Sequence, residues 1–169
     1  MSKVVLIGTS HSIQRDHSRV DFSDLINKTI IKHSVKAIAE EIDVNDSVVS
    51  GISNNLGIEY KIIEPNEQER IALGIDSLNQ IEFGIIMDFE DSESPEAIAE
   101  CKVRKQSTFR DREQEWLRRI GKMKGSLILV VCGANHVSAF AKLLKKNNIG
   151  VVIENAHWEL SSSTNDHTR

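Results

Sequence analysis

The stretch VVLIGTSHSIQ (residues 4–14) runs four branched apolar residues into a glycine and then into His11. A second stretch, SLILVVCGANHVSAF (residues 126–140), passes through Gly133 to His136 in the same way. A continuous apolar run closed by glycine is typical of a strand that is buried on both faces. The two stretches therefore predict two inner strands of a parallel sheet, each ending in Gly-x-x-His.

The segments between these stretches predict the rest of an α/β fold. Asp21 is expected to cap a first helix, residues 35–42 read as a strand, and a helix is expected from Asp46 or Ser47 to Gly57. A further strand ends at Pro65. Alternating strands and helices predict a mostly parallel central sheet flanked by helices, with the site at the C-terminal edge of the strands.

Residues 66–108 break this alternation and predict an excursion from the sheet. Residues 76–89 indicate an amphipathic helix, and residues 90–100 indicate an exposed acidic loop leading into a short helix. A separate helix near 108–124, the strand at 126–133, a helix starting near His136 and a strand at 149–155 follow. We expect one α/β domain over residues 1–160, the excursion as a lid or an interface, and a disordered polar tail at 161–169.

Composition narrows the class of protein. The chain has 169 residues, a formal charge of −4 and a pI near 5.9, which argues against a nucleic-acid or anionic-membrane partner. No apolar stretch approaches the roughly 20 residues needed to span a bilayer, and the N-terminal apolar run is too short for a signal peptide. Two cysteines, Cys101 and Cys132, are too few for a disulfide framework. The expectation is a cytoplasmic protein, and a homo-oligomer stays open.

Five ionisable residues follow predicted strand ends: His11, Glu40, Glu41, Glu64 and His136. Ligands of open parallel α/β sheets bind at the carboxyl ends of the strands, so these groups are expected at one edge. Consecutive strand residues point to opposite faces, so only one of Glu40 and Glu41 should face the site, and Glu40 is preferred. The alternative for each histidine is a surface or cap position without function.

Imidazole and carboxylate groups together suit either of two chemistries. His11, His136 and Glu40 or Glu41 would bind a divalent transition metal such as manganese, cobalt or zinc, which lowers the pKa of bound water. Alternatively, the same groups would act directly as acid and base. Glu64 would be a second carboxylate at the same edge.

Two arginines are candidates for binding an anionic group. Arg112 and Trp116 are four residues apart on a predicted helix, so they share a face, and Arg112 would hold a substrate anion or steady Glu40. Arg70, just beyond the third strand, is a similar candidate. The alternative is that these arginines only solvate a surface helix.

Four short motifs resemble the TraB/PrgY–Tiki group: GTSH at 8–11, AIAEE at 37–41, RDREQEW at 110–116 and CGANH at 132–136. That group belongs to a superfamily with the erythromycin esterases and the haem-binding ChaN proteins. The resemblance implies one site formed by His11, Glu40 or Glu41, Arg112 and His136. It also implies hydrolase chemistry, although several members have no established catalysis. The chain is much shorter than the peptidase members, so peptidase activity is not the expectation.

Three functions are therefore open. The first is a small cytoplasmic hydrolase acting on a small-molecule or peptide substrate, with or without a metal. The second is a binding or regulatory protein that holds haem or a small anion in the same pocket without turnover. The third is a partner-binding module that uses residues 75–104 as its contact surface.

Overall fold

The computed structural model describes residues 3–159, and the predicted tail at 161–169 lies outside them. The described chain forms two compact units, one from residues 3–62 and 123–159 and the other from residues 63–122. The predicted excursion at 66–108 lies within the second unit. The single-domain boundaries at 1–160 stay a prediction.

Five strands and seven helices make up the described chain. In chain order they are β1 (Lys3–Thr9), α1 (His11–Arg15), α2 (Val20–His33), β2 (Ala37–Glu40), α3 (Val48–Leu56), β3 (Glu59–Ile62), α4 (Glu67–Leu73), α5 (Leu78–Asp88), α6 (Pro95–Ile120), β4 (Leu127–Gly133), α7 (Ala134–Lys146) and β5 (Gly150–Asn155).

The first unit is built on a five-stranded parallel sheet in the order β3-β2-β4-β1-β5. This confirms the predicted α/β fold with a parallel sheet flanked by helices. The two quoted stretches supply β1 and β4, which are direct neighbours, with Gly8 opposite Cys132 and Thr9 opposite Gly133. The two Gly-x-x-His motifs therefore leave the sheet side by side.

The sheet is held by apolar side chains that alternate between its faces. On one face, Val5, Ile7 and Ile38 pack with Phe22 and Ile26 of α2 in a continuous buried cluster. Burying a side chain of this size contributes roughly 1.5–3 kcal/mol relative to leaving it exposed. The whole of β1 and β4 is close to fully buried, as their continuous apolar sequence predicts.

Gly8 is required because the chain packs closely against it. A Cβ there would come within 2.2 Å of the carbonyl oxygen of Ala156 and 2.5 Å of Val137 Cγ2. The amide of Trp158 also donates to the Gly8 carbonyl at 2.7 Å. The close approach at Gly8 is therefore made by the protein's own chain.

Helix ends follow the sequence signals in part. Ser47 caps α3 and Gly57 ends it in the left-handed conformation, as predicted. The expectation that Asp21 caps α2 is wrong, because the helix begins two residues earlier than expected: Arg19 is the N-cap and Asp21 lies in the first turn. An acid in the first turn still favours the helix through the dipole.

The second unit is helical. Both α4 and α5 begin with reciprocal capping boxes, Asn66 with Glu69 and Ser77 with Gln80. The prediction of two separate helices near 95–100 and 108–124 is wrong. A single helix of 26 residues, α6, begins at Pro95 and runs through both, because no helix breaker lies between them. Among the described residues, no helix is long and apolar enough to cross a membrane.

Candidate functional site

Glu41 is the centre of the site in the first unit. The amide of Glu41 donates to the carbonyl of Val131 at 2.9 Å, which extends the β2–β4 pairing and aims the side chain across the end of β4. One carboxylate oxygen accepts the Gly133 amide at 2.6 Å, and the other lies 3.2 Å from His11 Nε2. The carboxylate, only 2% exposed, thereby links the ends of β4 and α1.

The partners of Glu41 keep it ionised. Burial alone would raise its pKa, but the hydrogen bonds from His11 and Gly133 and the electrostatic attraction of His136 outweigh burial, so the pKa of Glu41 is lowered. A buried carboxylate that stays charged is an acceptor that can hold an imidazole N–H.

His11 is the solvent-facing member of the pair. It is the first residue of α1, directly after the capping residue Ser10, and 38% of its side chain is exposed. The hydrogen bond to Glu41 raises the pKa of His11 above its ordinary value, although burial partly opposes this. Because Nε2 is paired with Glu41, Nδ1 is the ring nitrogen that can exchange a proton with water or a ligand.

His136 and Gly133 complete the cluster. His136 is the third residue of α7, is 5% exposed, and acts electrostatically on Glu41. A Cβ on Gly133 would lie 3.2 Å from the Glu41 carboxylate and 3.6 Å from the His136 ring. The absence of a side chain at Gly133 is therefore what lets Glu41 lie so close to the end of β4.

Glu40 belongs to a different cluster, so the structure brings Glu41, and not the preferred Glu40, beside His11, while a role for Glu40 in the site stays a prediction. Because neighbouring strand residues point to opposite faces, Glu40 shares the face of Ile38, and His11 acts on it electrostatically. Its carboxylate accepts hydrogen bonds from Gln14 Nε2 (3.0 Å), Ser47 Oγ (2.5 Å) and Tyr60 Oη (2.6 Å). Burial raises the pKa of Glu40 even though these donors oppose the shift.

Gln14 connects the Glu40 carboxylate to the backbone of Glu41. Its amide nitrogen donates both to Glu40 and, at 3.1 Å, to the backbone carbonyl of Glu41. The buried amide oxygen of Gln14 accepts no hydrogen bond from the described residues. The Glu40 cluster thus positions the Glu41 backbone. Sequence reasoning missed Gln14, although its place three residues after His11 on a short helix was a usable signal.

Glu64, Arg70 and Arg112 lie in the second unit and form a cluster of their own. The guanidinium of Arg112 binds both oxygens of Glu64, at 2.9 and 3.0 Å, and Trp116 Nε1 donates to the same carboxylate at 2.9 Å. Arg70 lies 3.6 Å from it. The predicted common face of Arg112 and Trp116 is confirmed, since both bind one carboxylate. That Arg112 serves the same site as the histidines stays a prediction.

A small cavity adjoins the residues on either side of His11. It has a volume of about 240 Å³, and Ser10, Ser12, Ile13 and Trp158 are among its lining residues. The hydroxyls of Ser10 and Ser12 are 2.9 Å apart, and Thr9 Oγ1 donates to the Trp158 carbonyl at 2.9 Å. The cavity thus combines hydroxyl groups with the ionisable residues His157 and Glu159.

The donor arrangement fits a resident metal poorly. Within residues 3–159, no group of three or more His, Cys, Asp or Glu side chains is arranged to hold a metal ion. Both oxygens of Glu41 are already engaged, one by His11 and the other by the Gly133 amide. A metal at this position would have to displace one of these contacts.

Comparison of the chain with protein-family models, with curated proteins and with solved structures found no match. The chemistry of the site must therefore be argued from its own geometry.

Proposed function

We propose that the protein is a small hydrolase-like enzyme in which His11 is the general acid–base and Glu41 the carboxylate that orients it. The observation that carries the proposal is the Glu41 carboxylate, which is buried and binds both His11 Nε2 and the Gly133 amide. A base held by a fixed, ionised orienting group is the arrangement that acid–base catalysis requires.

The proton is handled at Nδ1 of His11. As a water molecule attacks an electrophilic carbon or phosphorus, Nδ1 takes a proton from that water, and Glu41 stabilises the imidazolium that forms. The same proton then passes to the leaving group, which returns the imidazole to its neutral form. The raised pKa of His11 makes its neutral imidazole a stronger base.

The cavity beside His11 supports a small polar substrate. Its volume of about 240 Å³ is below the roughly 300–1,000 Å³ of sites for drug-sized ligands. Ser10 and Ser12 offer hydroxyl groups for hydrogen bonds, and Trp158 offers an apolar wall. We infer that the substrate is a small polar molecule or one end of a longer one.

Membership of the TraB/PrgY–Tiki group is part of the same proposal and is supported by the juxtaposition of the two Gly-x-x-His motifs at the sheet edge.

Metal-dependent hydrolysis has less support. His11 already engages Glu41, and the described residues contain no cluster of three or more side chains arranged to hold a metal ion. Elemental analysis of the parent beside a His11→Ala, His136→Ala double variant decides this point. If the side chains alone carry out the acid–base chemistry, neither the parent nor the double variant should contain a stoichiometric metal.

The test of the proposal uses a matched histidine–carboxylate pair elsewhere in the first unit. His33 Nε2, on the last residue of α2, lies 2.8 Å from the carboxylate of Glu154 on β5. The parent, His11→Ala and His33→Ala are screened against carboxylic ester, amide and phosphate ester substrates. Loss of a general acid–base lowers activity by about 10²–10⁴-fold, so His11→Ala should lose activity on that scale while His33→Ala keeps it.

Two results would contradict the proposal. One is hydrolysis by the parent that His11→Ala leaves intact. The other is absence of turnover together with a ligand, such as haem or a small anion, whose binding His11→Ala abolishes. That second result would favour a non-catalytic binding protein that uses the same residues.

A further inference from the structure

Gln14 is a buried polar residue on the same short helix as His11. It is fully buried, yet its amide oxygen accepts no hydrogen bond from the described residues. A buried acceptor without a donor costs free energy. Packing alone therefore does not account for an amide at this position, whereas the two hydrogen bonds that its Nε2 donates do.

His11 and Gln14 contact the same residue through different groups. The two lie three residues apart on α1, so they share a face of the helix. His11 Nε2 lies 3.2 Å from the Glu41 carboxylate, and Gln14 Nε2 donates to the Glu41 carbonyl at 3.1 Å. The Glu41 amide in turn donates to the carbonyl of Val131 on β4. One turn of α1 thus contacts both the side chain and the backbone of Glu41.

The amide of Gln14 is itself held by a buried network. Its Nε2 donates to one oxygen of Glu40 at 3.0 Å. The other oxygen of Glu40 accepts hydrogen bonds from Ser47 Oγ at 2.5 Å and from Tyr60 Oη at 2.6 Å. Ser47 is the N-cap of α3, and Tyr60 lies on β3. The orientation of Gln14 is therefore fixed by β2, β3 and the start of α3, which are separate from the helix that carries His11.

The position of α1 depends on such side chains because the helix has only five residues. A helix this short gains little stability from its own hydrogen bonds. Ile13 anchors it in the apolar cluster beside the sheet, by contacts that have no preferred direction. The hydrogen bonds of Gln14 are directional, so they set how the helix is turned and where it lies along the end of β2.

We propose that Gln14 is a positioning residue, which fixes the turn of α1 that carries His11 against the backbone of Glu41. The inference rests on the proposed function, in which Glu41 orients His11, and adds the residue that sets their separation. Without the Nε2 hydrogen bonds the helix shifts, and the contact between His11 and the Glu41 carboxylate lengthens. Displacing a catalytic group by about 1 Å lowers the rate by up to about a hundredfold.

The experiment compares Gln14→Met with the parent by NMR titration of the His11 imidazole and by hydrolysis rates. Methionine keeps the length of glutamine but donates no hydrogen bond. Thr29→Val is the matched control, because it also replaces a buried polar side chain by an apolar one and removes a hydrogen bond, which Thr29 donates to the Leu25 carbonyl within α2.

In Gln14→Met the pKa of His11 should fall towards its ordinary value, because the hydrogen bond to Glu41 that raises it is weakened. Hydrolysis should drop by about tenfold to a hundredfold. Thr29→Val should leave both unchanged, since a loss of buried polar contacts elsewhere does not move the pKa of His11.

Two results would overturn the positioning role and leave the proposed function standing. One is an unchanged pKa of His11 in folded Gln14→Met, while His11→Ala abolishes hydrolysis. The other is an equal fall of that pKa in Thr29→Val. A fall confined to Gln14→Met, together with hydrolysis that His11→Ala leaves intact, would support the positioning role and contradict the proposed function.

A measurement on the parent tests the same contact without any variant. The side-chain amide protons of Gln14 should exchange with solvent far more slowly than those of Gln106, an exposed glutamine on α6. A scalar coupling through the hydrogen bond should also connect Gln14 Nε2 to the Glu41 carbonyl carbon. Equal exchange rates for the two glutamines would overturn the proposal.

Discussion

Glu41 in the first unit and Glu64 in the second are two buried carboxylates with similar exposure and different partners. Glu41 binds an imidazole and a backbone amide, and Glu64 binds the Arg112 guanidinium and the Trp116 indole. An imidazole gains and loses a proton near neutral pH, whereas a guanidinium stays charged and an indole N–H stays neutral. Burial alone therefore does not identify a carboxylate that can take part in proton transfer. The pH range in which its partner gains and loses a proton does.

The same comparison distinguishes the candidate site at Glu41 from a structural contact. We call the contact of Glu64 with Arg112 and Trp116 the clamp. The guanidinium of Arg112 also lies over the rings of Phe109 and Trp116, at 5.8 and 5.7 Å from their centres. Two parallel hydrogen bonds and two ring contacts fix α6 against the segment that holds Glu64. This arrangement stabilises the second unit and leaves little freedom for proton transfer.

The largest expected effect follows from removing the carboxylate of the clamp. Glu64→Ala removes the carboxylate that the mostly buried Arg112 guanidinium and the Trp116 indole N–H both bind, so we expect a loss of about 3–5 kcal/mol in the free energy of unfolding. Denaturant unfolding followed by circular dichroism measures it. Glu67→Ala, at an exposed position on α4, is the control and should cost under about 0.5 kcal/mol. Equal costs for the two variants would show that Glu64 is not a clamp.

A smaller effect is expected at Gly133. Its backbone conformation (φ −57°) is open to any residue, so Gly133→Ala acts only through the added Cβ, 3.2 Å from the Glu41 carboxylate. Displacing that carboxylate should cost about 1–2 kcal/mol and lower the pKa of His11 towards its ordinary value. Gly51→Ala is the matched control, because a Cβ there meets nothing within 4 Å and alanine favours the helix. A stable Gly133→Ala protein with an unchanged His11 titration would contradict the site geometry.

The smallest effect concerns Glu40 and depends on pH. Burial raises the pKa of Glu40 in the folded protein, so its contribution to stability is present below the unfolded pKa and is lost as pH rises through the folded value. Glu40→Gln removes this loss of stability with rising pH. The glutamine keeps one oxygen that can accept the hydrogen bonds of Ser47 and Tyr60, so the cost at neutral pH should stay below about 1 kcal/mol.

The measurement is the stability difference between Glu40→Gln and the parent between pH 4 and 8. The variant should gain relative to the parent as pH rises. Glu41 has a lowered pKa, so Glu41→Gln should show the opposite trend and lose relative to the parent over the same range. Parallel curves for the two variants would show that the neighbouring carboxylates share one environment.

Features that depend on a local pattern of residues were predictable from the sequence. The apolar runs of β1 and β4 predict buried parallel strands, and the i, i+4 spacing of Arg112 and Trp116 predicts their common face. Alternation along β2 also predicts that the side chains of Glu40 and Glu41 point to opposite faces of the sheet. It does not say which of them lies beside Gly133 at the end of β4. That choice depends on the β2–β4 register, a long-range property that short-range pattern does not contain.

The partners of the charged residues were not predictable for the same reason. Glu64 was expected beside the histidines because it follows a strand, yet Arg112 binds it from 48 residues away. The prediction missed that α6 is one helix because its first half is rich in charged residues of both signs.

The central claim is that Glu41 orients His11 and raises its pKa. The direct test is an NMR titration of the His11 imidazole. In the parent, the pKa of His11 should lie above its ordinary value of about 6.5. It should fall in Glu41→Gln, where the orienting group carries no charge, and stay unchanged in Glu154→Gln, which alters the pair formed by His33 and Glu154. A His11 titration that is the same in the parent and in Glu41→Gln would contradict the account.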